Sequence, residues 1–121
     1  MTIAIWAGVA VIGGLGAVLR FLADRAVARR SAHSFPMGTL TVNLSGAAVL
    51  GLISGMALGP AAGLLIGTAL IGCYTTFSTW MLETHRLTEE RERWPAAANI
   101  VVSVVLGLGA VALGRWVGGL L

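Results

Sequence analysis

The stretch Gly72-Cys73-Tyr74-Thr75-Thr76-Phe77-Ser78-Thr79-Trp80 lies near the end of an uncharged run that extends from Ser31 to Leu82. A bilayer-spanning helix needs ~20 predominantly apolar residues. The run, 52 residues long, therefore holds two spans and a turn, with Gly59-Pro60 supplying the break near its centre. The second of these spans carries four hydroxyl residues between Thr75 and Thr79, directly after a tyrosine and two residues beyond Gly72-Cys73. A continuous helix facing lipid would not carry them. Hydroxyls bond back to the backbone and loosen a helix, and non-helical backbone at this depth is tolerated only where protein buries it or water lines it. The stretch predicts a third helix broken near its middle. A Ser/Thr-rich helix whose hydroxyls bond its own carbonyls is the ordinary alternative. Where such a helix opens, freed carbonyls can coordinate a cation, and freed N–H groups or the hydroxyls of Thr76 and Ser78 can face an anion.

Working outward, the rest of the chain has the same character. Of 121 residues, 57% are hydrophobic and 11% charged, and the mean hydropathy is +0.90. An ordinary soluble domain is excluded. Charges fall between Arg20 and Arg30, between Glu83 and Arg93, and at Arg115. The flanking uncharged stretches, Met1 to Leu19 and Trp94 to Gly114, hold one span each. The result is a single all-α membrane domain, residues 1–121, of four transmembrane helices, with spans at about 3–23, 37–58, 61–82 and 95–118. Pro36, Pro60 and Pro95 each fall where a span begins, the place where a missing N–H costs nothing. Trp6, Trp94 and Trp116 suit aromatic anchors at the interfaces. The first run lacks a positively charged leader segment and reads as a retained helix.

Arginine placement sets the expected orientation. The loops after helices one and three hold seven of the eight arginines, so they face the cytoplasm of a multi-pass protein in the cell inner (plasma) membrane. There is no basic face outside these short loops, so nucleic acid is not an expected partner. Gly51, Gly55 and Gly59, and again Gly114 and Gly118, repeat at four residues and predict close helix packing, either within the bundle or between subunits. Gly13, Gly14 and Gly16 have neither the preceding strand nor the spacing of a dinucleotide loop. The sequon Asn43-Leu44-Ser45 lies inside a span, out of reach of glycosylation.

Polarity that burial should have removed marks the functional candidates. Thr39 and Asn43 stand four apart on helix two, and Asn99 and Ser103 four apart on helix four, so both helices carry donor stripes. Interhelical hydrogen bonding as glue is the plain alternative. No Asp, Glu or Lys is expected inside any span, and His33 and His85 lie outside them, so the usual titratable relay is missing. That disfavours the alternative function, a small four-helix proton-coupled exporter of the multidrug type, whose members resemble one another in an embedded glutamate in the first helix. Arg20 sits at the membrane edge, where it either snorkels or draws anions to a pore mouth. No nucleophile with its base, carboxylate pair or metal cluster is present, so the protein is not expected to be an enzyme.

Three segments carry a resemblance to a known family: Gly13-Gly14-Leu15-Gly16-Ala17-Val18-Leu19-Arg20, Phe35-Pro36-Met37-Gly38-Thr39-Leu40-Thr41-Val42-Asn43-Leu44-Ser45-Gly46, and Thr75-Thr76-Phe77-Ser78-Thr79 followed by Glu83. Together they resemble the Fluc (CrcB) family of small fluoride channels. The resemblance implies a fluoride-selective passive channel that lowers cytoplasmic fluoride, built as an antiparallel dual-topology-type dimer with a structural sodium ion at its centre. It implies that the backbone carbonyls of Gly72 and Thr75 hold the sodium. It implies, too, that Asn43 and Phe77 line a pore, with Thr39 and Ser103 on its polar track and Arg20 in the vestibule. The edge of Phe77, the positive side of its ring, can face an anion. The sequence departs from the family at Trp80, where a second phenylalanine is usual; Trp80 either lines the pore in its place or anchors at the interface.

Neutral donors suit such an ion. Stripping water from a small anion costs tens of kcal/mol unless its shell is replaced, and each charge-assisted hydrogen bond returns ~1.5 to 3 kcal/mol. A fixed cation in the path would hold the ion too tightly for fast release. Four helices are too few to enclose a path and fill their own core, which argues for an oligomer. Identical chains inserting both ways suit a small arginine bias, whereas this bias is seven to one, so an oppositely oriented homologue is as good a partner as a second copy.

Overall fold

The computed structural model describes residues 2–32 and 34–121; His33 lies outside the described residues. Every regular element among them is helical. α1 (Ile3–Arg30) runs seven residues beyond the expected end of its span at Ala23, because the sequence after Ala23 becomes charged yet stays rich in Ala and Arg, good helix formers. The chain leaves the apolar layer without leaving the helix. α2 (Met37–Met56) stops two residues short of Leu58, where Ala57 takes a left-handed conformation, φ 52° and ψ 49°, ahead of Gly59-Pro60.

The third span is divided. Its first part, α3 (residues 60–74), opens with Pro60 in the first turn and is wound wider than an α-helix over Gly63–Ile71, the Gly72 N–H reaching back five residues to the Gly67 carbonyl. Such winding is rare and frequent at functional sites. The chain then extends at Thr75, φ −80° and ψ 164°, before α4 (Ser78–Glu89) resumes the path. α5 (Arg93–Gly118) begins two residues before Pro95, which the first turn tolerates because its N–H groups have no helical partner. Among the described residues, four helical stretches are long and apolar enough to cross a membrane: Ile3–Arg30, Met37–Met56, Pro60–Glu89 and Arg93–Gly118.

Glycine decides how they pack. A Cβ on Gly51 or Gly55 would run into the carbonyls of Val111 and Arg115, and one on Gly114 or Gly118 into those of Ala48 and Leu52. Positions advance together on the two helices, so α2 and α5 lie parallel with their backbones in contact; Gly51, Gly55, Gly114 and Gly118 are spent inside one chain, whereas Gly59 lies beyond the end of α2 and a Cβ there would meet nothing among the described residues. α1 lies parallel to α3 in the same manner, Gly8 against Leu65 and Gly16 against Leu70 and Tyr74. Gly38 crosses α1 at Asp24, and Gly46 meets Thr75, which sets the antiparallel contacts of α2 with α1 and with the third span. The break is thereby fixed beside the polar end of α2. Trp6, Trp94 and Trp116 point outward.

Candidate functional site

At the break, side chains replace the helical partners of the backbone. In an unbroken helix the Thr76 N–H would bond the Gly72 carbonyl. Instead it donates to Asn43 Oδ1 at 2.8 Å, while Asn43 Nδ2 donates to the Thr76 carbonyl at 2.9 Å. One amide thus satisfies both polar groups of one peptide residue. The Thr79 N–H, ordinarily the partner of the Thr75 carbonyl, donates to Thr76 Oγ1 at 3.2 Å and so caps the start of α4. The Thr75 hydroxyl donates to the Ile71 carbonyl at 3.0 Å. The Gly72 and Thr75 carbonyls lose their helical donors, and so do the neighbouring Cys73 and Thr76 carbonyls, the last of which Asn43 takes up. Arg20 Nη1 approaches the Thr75 carbonyl at 3.4 Å.

A groove of about 400 Å³ runs beside this break, lined by Asn43, Thr75, Thr76, Phe77, Trp80 and Ser103 among aliphatic residues of α2 and α5. Phe77 and Trp80 stand with ring centroids 5.6 Å apart and planes at 81°. Phe77 is 69% exposed in the single chain. The Ser103 hydroxyl is buried and has no hydrogen-bond partner among the described residues. Trp80 is half-buried and donates its indole N–H to the Asn99 carbonyl at 2.9 Å, unlike an outward-pointing anchor.

Other sequence candidates lie apart from this groove. Arg20 and Thr39 line a smaller cavity of about 140 Å³ with Asp24 and Thr79, and Thr76 borders both spaces. Ser78 is exposed, its hydroxyl 3.5 Å from that of Thr76. Thr39 is buried and donates its hydroxyl to Glu83 Oε1. Glu83 lies one residue beyond the expected end of the third span at Leu82. α4 continues through it, and it is partly buried at the membrane edge rather than free in solvent. The signal was the four-residue spacing of Thr75, Thr79 and Glu83, which puts a carboxylate on the face of the hydroxyls.

Neutral hard oxygens at Gly72 and Thr75 suit a hard cation, whose ligands are carbonyl and carboxylate oxygens. No cluster of His, Cys, Asp or Glu able to hold a metal occurs among the described residues.

A four-span helical bundle with an interrupted span, beside a mostly apolar groove that carries a few uncharged polar groups, defines an integral membrane protein built around an ion path. The comparisons give the family. A model described as "CrcB-like protein, Camphor Resistance (CrcB)" matches residues 7–115, and the chain belongs to this CrcB-like family. It is 64% identical over 117 residues to "Fluoride-specific ion channel FluC 2" of Mycobacterium tuberculosis (strain ATCC 25618 / H37Rv), covering 97% of this chain and 93% of that one. It is 44% identical to "Fluoride-specific ion channel FluC 1" of Leifsonia xyli subsp. xyli, covering 99% and 90%. With the FluC 1 protein of Symbiobacterium thermophilum the identity is 35%, covering 93% and 96%.

Proposed function

We propose that this chain is a subunit of a passive fluoride channel, which lets fluoride leave the cell down its electrochemical gradient. The carrying observation is the uncharged groove at the helix break, walled by Phe77 and by the Ser103 hydroxyl, unpartnered among the described residues, in a chain 64% identical to a protein named a fluoride-specific ion channel. In this reading Asn43 fixes the backbone of Thr76, so that the N-terminal turn of α4 and the ring of Phe77 are held in place without a charge in the path. Phe77, Trp80, Ser103, Thr76 and Ser78 contact the ion in turn, and Thr39 with Arg20 lines the way to the groove. The Ser103 hydroxyl, free of protein partners among the described residues, is ready to donate. Each such bond returns ~1.5 to 3 kcal/mol of lost hydration, and the absence of a fixed cation in the groove keeps release fast.

The working unit is an antiparallel dimer, since the groove of one chain is open and Phe77 is largely uncovered. The seven-to-one arginine bias favours a related chain of opposite orientation as partner, while a second copy is the simpler arrangement. The Gly72 and Thr75 carbonyls of each subunit would hold a structural sodium ion. Once bound, that ion supplies a fixed positive charge near the path, outside it. Loops α1–α2 and α4–α5 face the cytoplasm across the plasma membrane.

Fluoride efflux from liposomes holding the purified protein, with sodium present and chloride as control, tests the reading. Selective efflux that a pH gradient does not drive is expected, as is its loss in Phe77→Ala. Vesicles that retain fluoride as well as empty ones, with and without the oppositely oriented homologue, would refute it.

A further inference from the structure

We infer that Asn99 is a positioning residue that turns the indole N–H of Trp80 away from the groove, so that the passing ion meets only carbon edges of that ring. The inference rests on the fluoride reading above. Trp80 differs from a phenylalanine by one strong donor. Left open in a groove built of weak neutral donors, that N–H would hold a hard anion by a charge-assisted bond and lengthen its stay roughly ten- to a hundredfold.

In this chain the donor is already committed. The Trp80 indole N–H donates to the backbone carbonyl of Asn99 at 2.9 Å, and the side chain of Asn99 holds that carbonyl in place. The Asn99 side chain returns the contact, its Nδ2 donating to the Trp80 carbonyl at 3.4 Å and to Thr84 Oγ1 at 2.8 Å. Thr84 closes the set by donating its hydroxyl to the same Trp80 carbonyl at 2.9 Å. Asn99 is wholly buried, 0% exposed, and does not line the groove. Its side chain bonds Trp80 and Thr84, and of these two Trp80 lines the groove. The clasp also fixes the ring at 81° to Phe77, so that two rings meet the path in one arrangement.

The test is NMR on ¹⁵N-labelled full-length protein, with the Trp80 indole signal assigned by its disappearance in Trp80→Phe. In the unaltered protein the signal stays in place when sodium fluoride replaces sodium chloride, and its N–H exchanges slowly. Asn99→Leu, and the near-isosteric Thr84→Val should the first fail to fold, keep the backbone carbonyl of residue 99 and remove side-chain ties that hold it against the indole, so exchange quickens roughly tenfold. The signal then begins to move with fluoride, and fluoride efflux slows by a similar factor. A fluoride-dependent shift in the unaltered protein overturns the inference, and so does unchanged exchange in the variants. If the unaltered protein carries no fluoride, the channel reading fails by itself, while the exchange rates still decide whether Asn99 holds the indole.

Discussion

Along the α2–α5 seam, glycines bring two backbones together until no side chain fits between them, whereas a few residues away, at the break between α3 and α4, side chains hold the backbone apart. The first region is apolar and spends its small residues on van der Waals contact, the main source of helix association where lipid is as apolar as the protein. The second is polar, and there Asn43 takes up both peptide groups of Thr76 that lost their helical partners. The seam is rigid so that the break can be held open. A bundle of four helices has no spare mass to stiffen a gap in one of them, and contact between backbones is the stiffest join that side-chain chemistry allows.

The contrast can be broken at the seam first. Gly114→Leu drives a side chain into the Ala48 carbonyl, which belongs to backbone and cannot yield. A loss of about 3 kcal/mol or more is expected, seen as a collapsed unfolding midpoint in detergent. Next comes Asn43→Ala, which strips both partners from the Thr76 peptide groups. It should cost ~1 to 3 kcal/mol and abolish fluoride efflux while the protein still elutes as a folded species. Thr39→Val removes the donor to Glu83 and is expected to cost ~1 kcal/mol, slowing efflux less than Asn43→Ala does. Smallest and of opposite sign is Gly109→Ala. No neighbouring atom lies within 4 Å of the added methyl, so the variant gains ~0.5 to 1 kcal/mol in thermal unfolding. A Gly109→Ala loss as large as that of Gly114→Leu would mean that glycine serves α5 generally and not its seam with α2.

How far these regions could be foreseen differs for a physical reason. The hydroxyl run after Gly72 points to an interrupted span by its composition, although hydroxyls bonded back to helical carbonyls, as at Thr84 and Thr88, would satisfy the same groups without a break. The glycine rows likewise declare close packing. Neither signal says what lies opposite, because periodicity defines the face of a helix and not its neighbour. That Gly51 meets Val111, or that Asn43 meets the peptide groups of Thr76, depends on the rotation of helices far apart in the chain. Thr39 and Ser103 share a polar reading in one dimension, yet they border separate cavities, with Thr76 between them. Glu83 was missed because the edge of a span was drawn at the last apolar residue, although α4 winds on to Glu89.

The parallel pairing of α2 with α5 also carries a consequence for biosynthesis. Gly51 must wait for Val111 to be translated and inserted before it gains its lasting neighbour, so the earliest spans enter the bilayer with a bare ridge that can be filled only from the far end of the polypeptide. Assembly is thus timed by completion of the last segment, and a nascent chain released before α5 would leave that ridge exposed to whatever helix drifted past.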